Sequence, residues 1–455
     1  MRSRNSLAIG GFQWLVALGL LTSTRGLCRA DPPSTPNNQL QVFPPEIAKA
    51  WKEAGAKVGW TGISRRYYLG RVSLDFFFLE FAESPEGLTE ALPVFRFKTW
   101  KEGVIPKLPA PRTAFGLDLS FSSVTDVGLR ELATFKNLQA VNLAYTKVSD
   151  EELKELGSVT SLKSLILSET KVTDAGLKNL SNLKDLHTLN LSDNKVRDTG
   201  LKDLDNFKRL RHLDVSRTAV TDQGLRSLGI LDGLQCLEMS KCNVTDAGLA
   251  ELSNLKTLQT LNLTATDISD IGLKHLAGLK NLQSMNLTTT NVTGVGLKEL
   301  ANLNGLQRLS MVNTGLTNTG LKELTNLKSL QWLNLCDTHV TDDGLKELAQ
   351  LRNLQSLNLE RTAVTGVGFK DLAELKNLHS LGISLTSVDD ARLKELTTIK
   401  SLQILDVSFT KVTDVGLMEL SGLKNLTRLK LYSTKVTDAG VKEFKKSLPD
   451  CEINR

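Results

Sequence analysis

Between Pro111 and Pro449 the chain contains no proline, although eleven occur in its 455 residues. The other nine all precede Pro111, and four of the five tryptophans (Trp14, Trp51, Trp60, Trp100) fall in the first hundred residues. Something therefore ends near residue 112, and a second composition runs from there to the stop of a last helix. Aromatic residues are scarce, at 5%. Long apolar runs are missing beyond the N-terminal leader, and a mean hydropathy of -0.13 leaves no room for several membrane spans. Neither sign of charge is in large excess. The 56 Lys and Arg are interleaved with 50 Asp and Glu, a pattern that argues against a nucleic-acid partner.

The leader has a different character. Arg2 and Arg4 precede "LAIGGFQWLVALGLL", an uncharged stretch, and "CRA" before Asp31 offers small residues where a signal peptidase inspects the chain. Residues 1–30 read as a signal peptide cleaved after Ala30, so no stable membrane span remains. An uncleaved anchor is disfavoured by Gly10, Gly11, Gln13 and Gly19, and a lipoprotein through Cys28 by the bulky Leu27. Residues 31–43 read as a flexible Pro-rich linker, and 44–113 as an N-terminal capping region with a short helix in "PEIAKAWKEAGAKVGW" and a strand in "RVSLDFFFLEF".

From residue 114 a period of 24 takes over. Thr146, Thr170, Thr218, Thr266, Thr290, Thr314, Thr338, Thr362, Thr386, Thr410 and Thr434 fall on one lattice, with Ser122, Asn194 and Cys242 at its remaining points and no insertions. In "TLNLTATDISDIGLKHLAGLKNLQ" (260–283) Leu261 and Leu263 follow a strand's period of two. Leu273, Leu276, Leu279 and Leu282 then recur every third residue, as on a helix. One such unit cannot fold alone. It buries about seven apolar side chains at roughly 1.5–3 kcal/mol each, while ordering 24 residues costs on the order of 1–2 kcal/mol apiece. Stacking covers the open faces, and helices wider than strands bend the stack into an arc. The expected fold is α/β, a right-handed solenoid of 24-residue repeats over 114–444, with a parallel concave sheet, convex helices and a C-terminal cap at 445–455.

Read as L-x-x-L-x-L-x-x-T-x-V, the unit is similar to the leucine-rich repeat, with Thr in most places where that repeat carries Asn or Cys. The resemblance covers about residues 115 to 453. The phrase "VTDxGLxxL" resembles the cysteine-containing subfamily, in which F-box substrate receptors are prominent, and also secreted bacterial repeat proteins. "AFGLDLS" at 114–120 and "AWKEAGAKVGW" at 50–60 resemble the entry region of the latter.

Most recurring letters have structural work. The lattice threonines are expected to turn inward and satisfy backbone groups in the bend. The hydroxyl three places later, as in Ser269, Thr173 and Thr245, suits an N-cap, with Asp270 in the favourable first turn. Glycines at the offset of Gly272 allow close packing, from which Glu152 and Arg392 depart. The five histidines do not converge: His187 and His379 share an offset but lie eight units apart, roughly 38 Å at strand spacing. "TGVGLK" at 293 and "TGVGFK" at 365 are the common TDxGL phrase with Asp replaced by Gly rather than phosphate loops. No cysteine pair has a separation suited to a bridge. Lys-Glu pairs such as Lys298 and Glu299 read as a solvated outer face. No enzyme, cofactor or metal is expected.

Binding is expected on the concave side, beside the strand leucines. Most units carry a Ser/Thr and Asn carpet there, so exceptions are informative. Arg308 and Trp332 share one offset in adjacent units, with Asn334 and Glu360 nearby. Arg and Trp are enriched at binding hot spots, although an Arg over a Trp ring is also a self-contained cation–π contact. A second cluster holds Ile404, Phe409, Arg428, Lys430 and Tyr432, where a cap tolerating larger residues is the competing reading. The expected function is an exported, monomeric, noncovalent binder of a protein or a cell-envelope polymer. The alternatives are an F-box-like receptor of a ubiquitin ligase and a purely architectural envelope protein.

Overall fold

The computed structural model describes residues 42–64, 81–86 and 88–455, all within one compact unit, Gln41–Arg455. The leader, nearly all of the Pro-rich segment and nearly all of "RVSLDFFFLEF" lie outside the described residues. A short helix, Pro45–Glu53, closes at Gly55, whose φ of +100° needs glycine. The strands Lys57–Ser64 and Leu88–Arg96 form an antiparallel pair. The second of these pairs in parallel with Phe115–Asp118, and one open sheet then continues strand by strand to Glu452–Asn454. Among the described residues it has seventeen strands. From Gly116↔Ala140 onward every register steps by one repeat, as in Thr260↔Ser284 and Ser284↔Arg308.

Alternation within each strand decides what the core receives. Leu261 and Leu263 are fully buried, together with the helix leucines Leu273, Leu276, Leu279 and Leu282, so one apolar spine runs the length of the stack. The lattice threonines turn inward: Thr266 Oγ1 donates to the Leu263 carbonyl at 2.6 Å, and Thr290 and Thr338 repeat the bond. Asn194 and Cys242 also reach back one repeat, to the carbonyls of Leu167 and Val215, and Asn194 keeps the bond to Leu191 in its own repeat. The residue before each lattice point, from Phe121 to Ser433, is left-handed, with φ between 50° and 59° at fourteen positions and no glycine among them.

The convex side is built from short helical segments, some α, as in Asp222–Leu228, and some 3-10, as in Gly272–Leu276 and Phe369–Glu374. Their T-D-x-G phrase does more than cap a helix. Asp222 accepts from the amide and hydroxyl of Thr245 in the next repeat, at 2.8 and 2.6 Å; Asp198 does the same for Thr221 and Asp390 for Thr413. Gly248 leaves room for that carboxylate, since a Cβ there would sit 2.3 Å from Asp222 Oδ1. The departures follow the same logic. Gly366 replaces the Asp, and the next repeat fills the space with Arg392, whose Cβ would lie 2.7 Å from a Cβ on Gly366. Glu152 turns back on its own repeat and accepts from the Ser149 amide at 2.7 Å, forming a capping box. Burial pushes the Glu152 carboxyl up, but the hydrogen bonds from Ser149 outweigh it and the net direction is down.

Both ends of this ladder are occupied. Glu102 accepts from Thr125 of the first repeat at 2.5 Å, and Trp100 lies where a Cβ on Gly128 would intrude. Phe43, Trp51, Phe95, Phe97, Phe115 and Phe135 interlock over the first coil, with Trp51 stacked on Phe95 at 4.1 Å. At the other end Arg455 pairs with Asp438 and donates to the Val436 carbonyl at 2.8 Å.

Candidate binding surface

The first and third residues of each short strand face away from the spine and tile the concave side. At the third position the norm is Asn, and it is engaged locally: Asn262 Oδ1 accepts from Thr264, Asn286 from Thr288, Asn334 from Cys336 and Asn358 from Glu360, at 2.9–3.1 Å. Each amide thereby fixes the turn that leads to the left-handed residue. Gly382 interrupts this row. A Cβ there would lie 2.7 Å from Asn358 Oδ1, and its absence deepens the floor. Around it opens a shallow hollow, open to solvent and lined by Trp332, Asn334, Glu360, Ile404, Asp406 and Lys430 among others. From the strand of Trp332 to that of Lys430 is four strand spacings, about 19 Å.

The leucine-rich repeat region family model matches residues 197–453. The chain belongs to the leucine-rich repeat family. A second leucine-rich repeat model matches 160–181 and 182–204. No curated protein sequence matches significantly. Among solved structures, the Leptospira interrogans leucine-rich repeat protein LIC12759 is 25% identical, with 79% of this chain and 93% of that one covered and a TM-score of 0.58. The internalin InlF of Listeria monocytogenes is 24% identical, with coverages of 73% and 88% and a TM-score of 0.56. The mouse RP105/MD-1 complex is 19% identical, with coverages of 79% and 63% and a TM-score of 0.57. Leucine-rich repeats are interaction scaffolds rather than catalytic folds as a rule, so function is sought on this surface.

The structure distributes the candidate residues unevenly. Arg308 and Trp332 are register partners, both half-buried. Trp332, Asn334, Glu360 and Lys430 line one hollow, so residues assigned to two separate clusters in the sequence share a site. Lys430 pairs with Asp406 at 3.4 Å, and Arg428 is held by Glu452 at 3.0 Å. Tyr432 stands outside the hollow, 44% exposed, in the row next to exposed Leu385 and Phe409. Ile404, expected in the second cluster, also lines this hollow, whereas sequence reasoning missed Asp406 and Gly382; the glycine where Asn is the norm was the available signal.

Electrostatics separate two parts of this leucine-rich repeat surface. Near the hollow, burial and the carboxylates of Glu360 and Asp337 push the Cys336 thiol up to about 12, so it stays protonated and unreactive at neutral pH. Five strands away, burial lowers His212 to about 4, helped by the Arg211 and His187 charges. Burial raises its neighbour Asp214 to about 6, against hydrogen bonds from Ser216. His212 Nδ1 lies 3.2 Å from Thr188 Oγ1. Among the described residues no group of three His, Cys, Asp or Glu side chains is placed to hold a metal ion, and no helix is long and apolar enough to cross a membrane. The "TGVG" turns hold a carboxylate of the chain itself: Gly294 and Gly296 donate to Asp270 at 3.1 and 2.9 Å, and Gly366 to Asp342 at 2.8 Å.

Proposed function

We propose that the chain is an exported, monomeric recognition module of the secreted bacterial type, which holds a protein or a cell-envelope polymer on its concave face by noncovalent contact. The hollow between Trp332 and Lys430 carries this reading. It combines a flat aromatic ring, an aliphatic wall at Ile404 and charges of both signs within one depression, the composition of a binding hot spot rather than of a solvated surface. Arg308 extends it on one side; Arg428 and Tyr432 extend it on the other. Export rests on the charged, apolar, small-residue order of residues 1–30.

The test uses the full mature chain, immobilised, with envelope extract as the source of partner. Once the captured species is identified, its affinity is measured for Trp332→Ala and Lys430→Gln. The expected result is a loss of tenfold or more, corresponding to about 1.4 kcal/mol or more, in each variant with an unchanged melting temperature. Wild-type affinity in both variants removes the hollow as the binding site.

A further inference from the structure

We infer that a second stretch of the concave face, over the strands Cys236–Glu238, Thr260–Asn262, Ser284–Asn286 and Arg308–Ser310, binds a neutral polyhydroxylated chain, that is, a glycan. The inference rests on the reading of the concave face as the binding surface and names the chemistry that face accepts. Asn262 is only 2% exposed. Its Oδ1 accepts from the amide and hydroxyl of Thr264 at 2.9 and 2.6 Å, while its Nδ2 has no hydrogen-bond partner. Ser284, also 2% exposed, has a hydroxyl without a partner. Leu261 and Met285, their strand neighbours, enter the spine, so strand alternation directs Asn262 and Ser284 to the concave side.

Unpartnered donors are not the rule on this surface. Ser192 donates to Asn190, and Thr288 lies 3.0 Å from Ser310 Oγ. A donor left without a partner in a buried place is costly, and two occur one strand apart. Their surroundings set the ligand chemistry. Glu238 is the register partner of Asn262, and Thr260 and Arg308 flank Ser284. Acceptor, donor, hydroxyl and guanidinium thus follow one another across about 14 Å of sheet. Adjacent hydroxyls of a sugar, each donor and acceptor at once, match such a strip. A peptide would need apolar anchors, and the concave positions of this stretch carry no large apolar side chain. The nearest aromatic, Trp332, lies beside Arg308, where its flat face suits the C–H face of a sugar ring.

Cellohexaose, chitohexaose and mannohexaose serve as probes, titrated into the full mature chain and followed by calorimetry and tryptophan emission. At least one is expected to bind, and Ser284→Ala and Asn262→Asp are each expected to weaken that binding about tenfold. Ser284→Ala removes only an unpartnered hydroxyl and should leave the melting temperature unchanged or raised. Asn262→Asp keeps the acceptor for Thr264, as Asp214 and Asp406 do for Ser216 and Ser408 in their own repeats. No binding of any probe at about 5 mM, binding equal to wild type in both variants, or a Ser284→Ala chain that melts several degrees lower would overturn the inference. If glycans fail while Trp332→Ala still abolishes partner capture, this inference falls and the proposed function stands.

Discussion

At the scale of single residues the least legible feature is the left-handed residue before each lattice point. Nothing in Phe121, Glu169, Lys241, Thr289 or Leu385 announces φ near +55°; neither glycine nor a consistent residue type marks the site. The conformation is imposed from outside, because from Phe121 to Phe409 each such amide donates to a carbonyl of the next repeat, as Thr289 does to Val312 at 2.8 Å. A β-branched residue is the poorest occupant. Thr289→Asn should therefore raise stability by about 0.5–1 kcal/mol, part of the roughly 1–2 kcal/mol left-handed cost, read as a higher urea midpoint at unchanged slope. The inward threonines, by contrast, were readable, because a hydroxyl at a fixed place in a buried bend has few other uses.

Asp214 and His212 give a pH prediction with opposed signs. Asp214 binds its proton more tightly when folded, so its contribution is full below about 3.8 and is lost as pH rises through about 6. His212 is depressed from 6.5 to about 4, so its contribution is full above 6.5 and is lost as pH falls toward 4. Asp214→Asn keeps an acceptor for Ser216, as Asn190 does for Ser192. At 1.36 kcal/mol per pH unit, the variant should be more stable by on the order of 2–3 kcal/mol at pH 7.5. That margin should vanish by about pH 4, read from denaturant curves across the range.

At the scale of the element, the T-D-x-G phrase was legible as a turn that packs closely, but its partner was not. Gly248 makes room for Asp222, which belongs to the preceding repeat, and no local pattern reports a contact at that distance along the chain. Gly366 opposite Arg392 provides a natural double replacement. Asp222→Ala should cost about 1.5–3 kcal/mol through lost charge-assisted bonds, and Gly248→Ala about 1–3 kcal/mol through overpacking. In the double variant the clash is gone, so the combined loss should fall short of the sum by about 1 kcal/mol or more. Strict additivity in a thermal or urea double-mutant cycle would contradict the ladder. The 3-10 segments, such as Gly272–Leu276, also escaped the sequence, since a threefold leucine spacing fits either helix.

At the scale of the whole molecule, the order of the sheet was written in the 24-residue period and the candidate site only in part. Trp332 and Lys430 stand out in the sequence as exceptions to a carpet. Their membership of one hollow depends on Gly382 and on spacing across the strands between them. Likewise the ladder's ends, Glu102 on Thr125 and Arg455 on Asp438, use residues that carry no repeat signature. If every repeat depends only on its neighbours, the chain should tolerate loss of a whole period and nothing smaller. The most direct measurement compares two deletions, residues 243–266 and residues 243–254, by circular dichroism and thermal unfolding. The account predicts that the first keeps a native-like spectrum and one cooperative transition, while the second, which throws strand against helix, unfolds or aggregates. A folded second deletion, or a first deletion without cooperative unfolding, would contradict it.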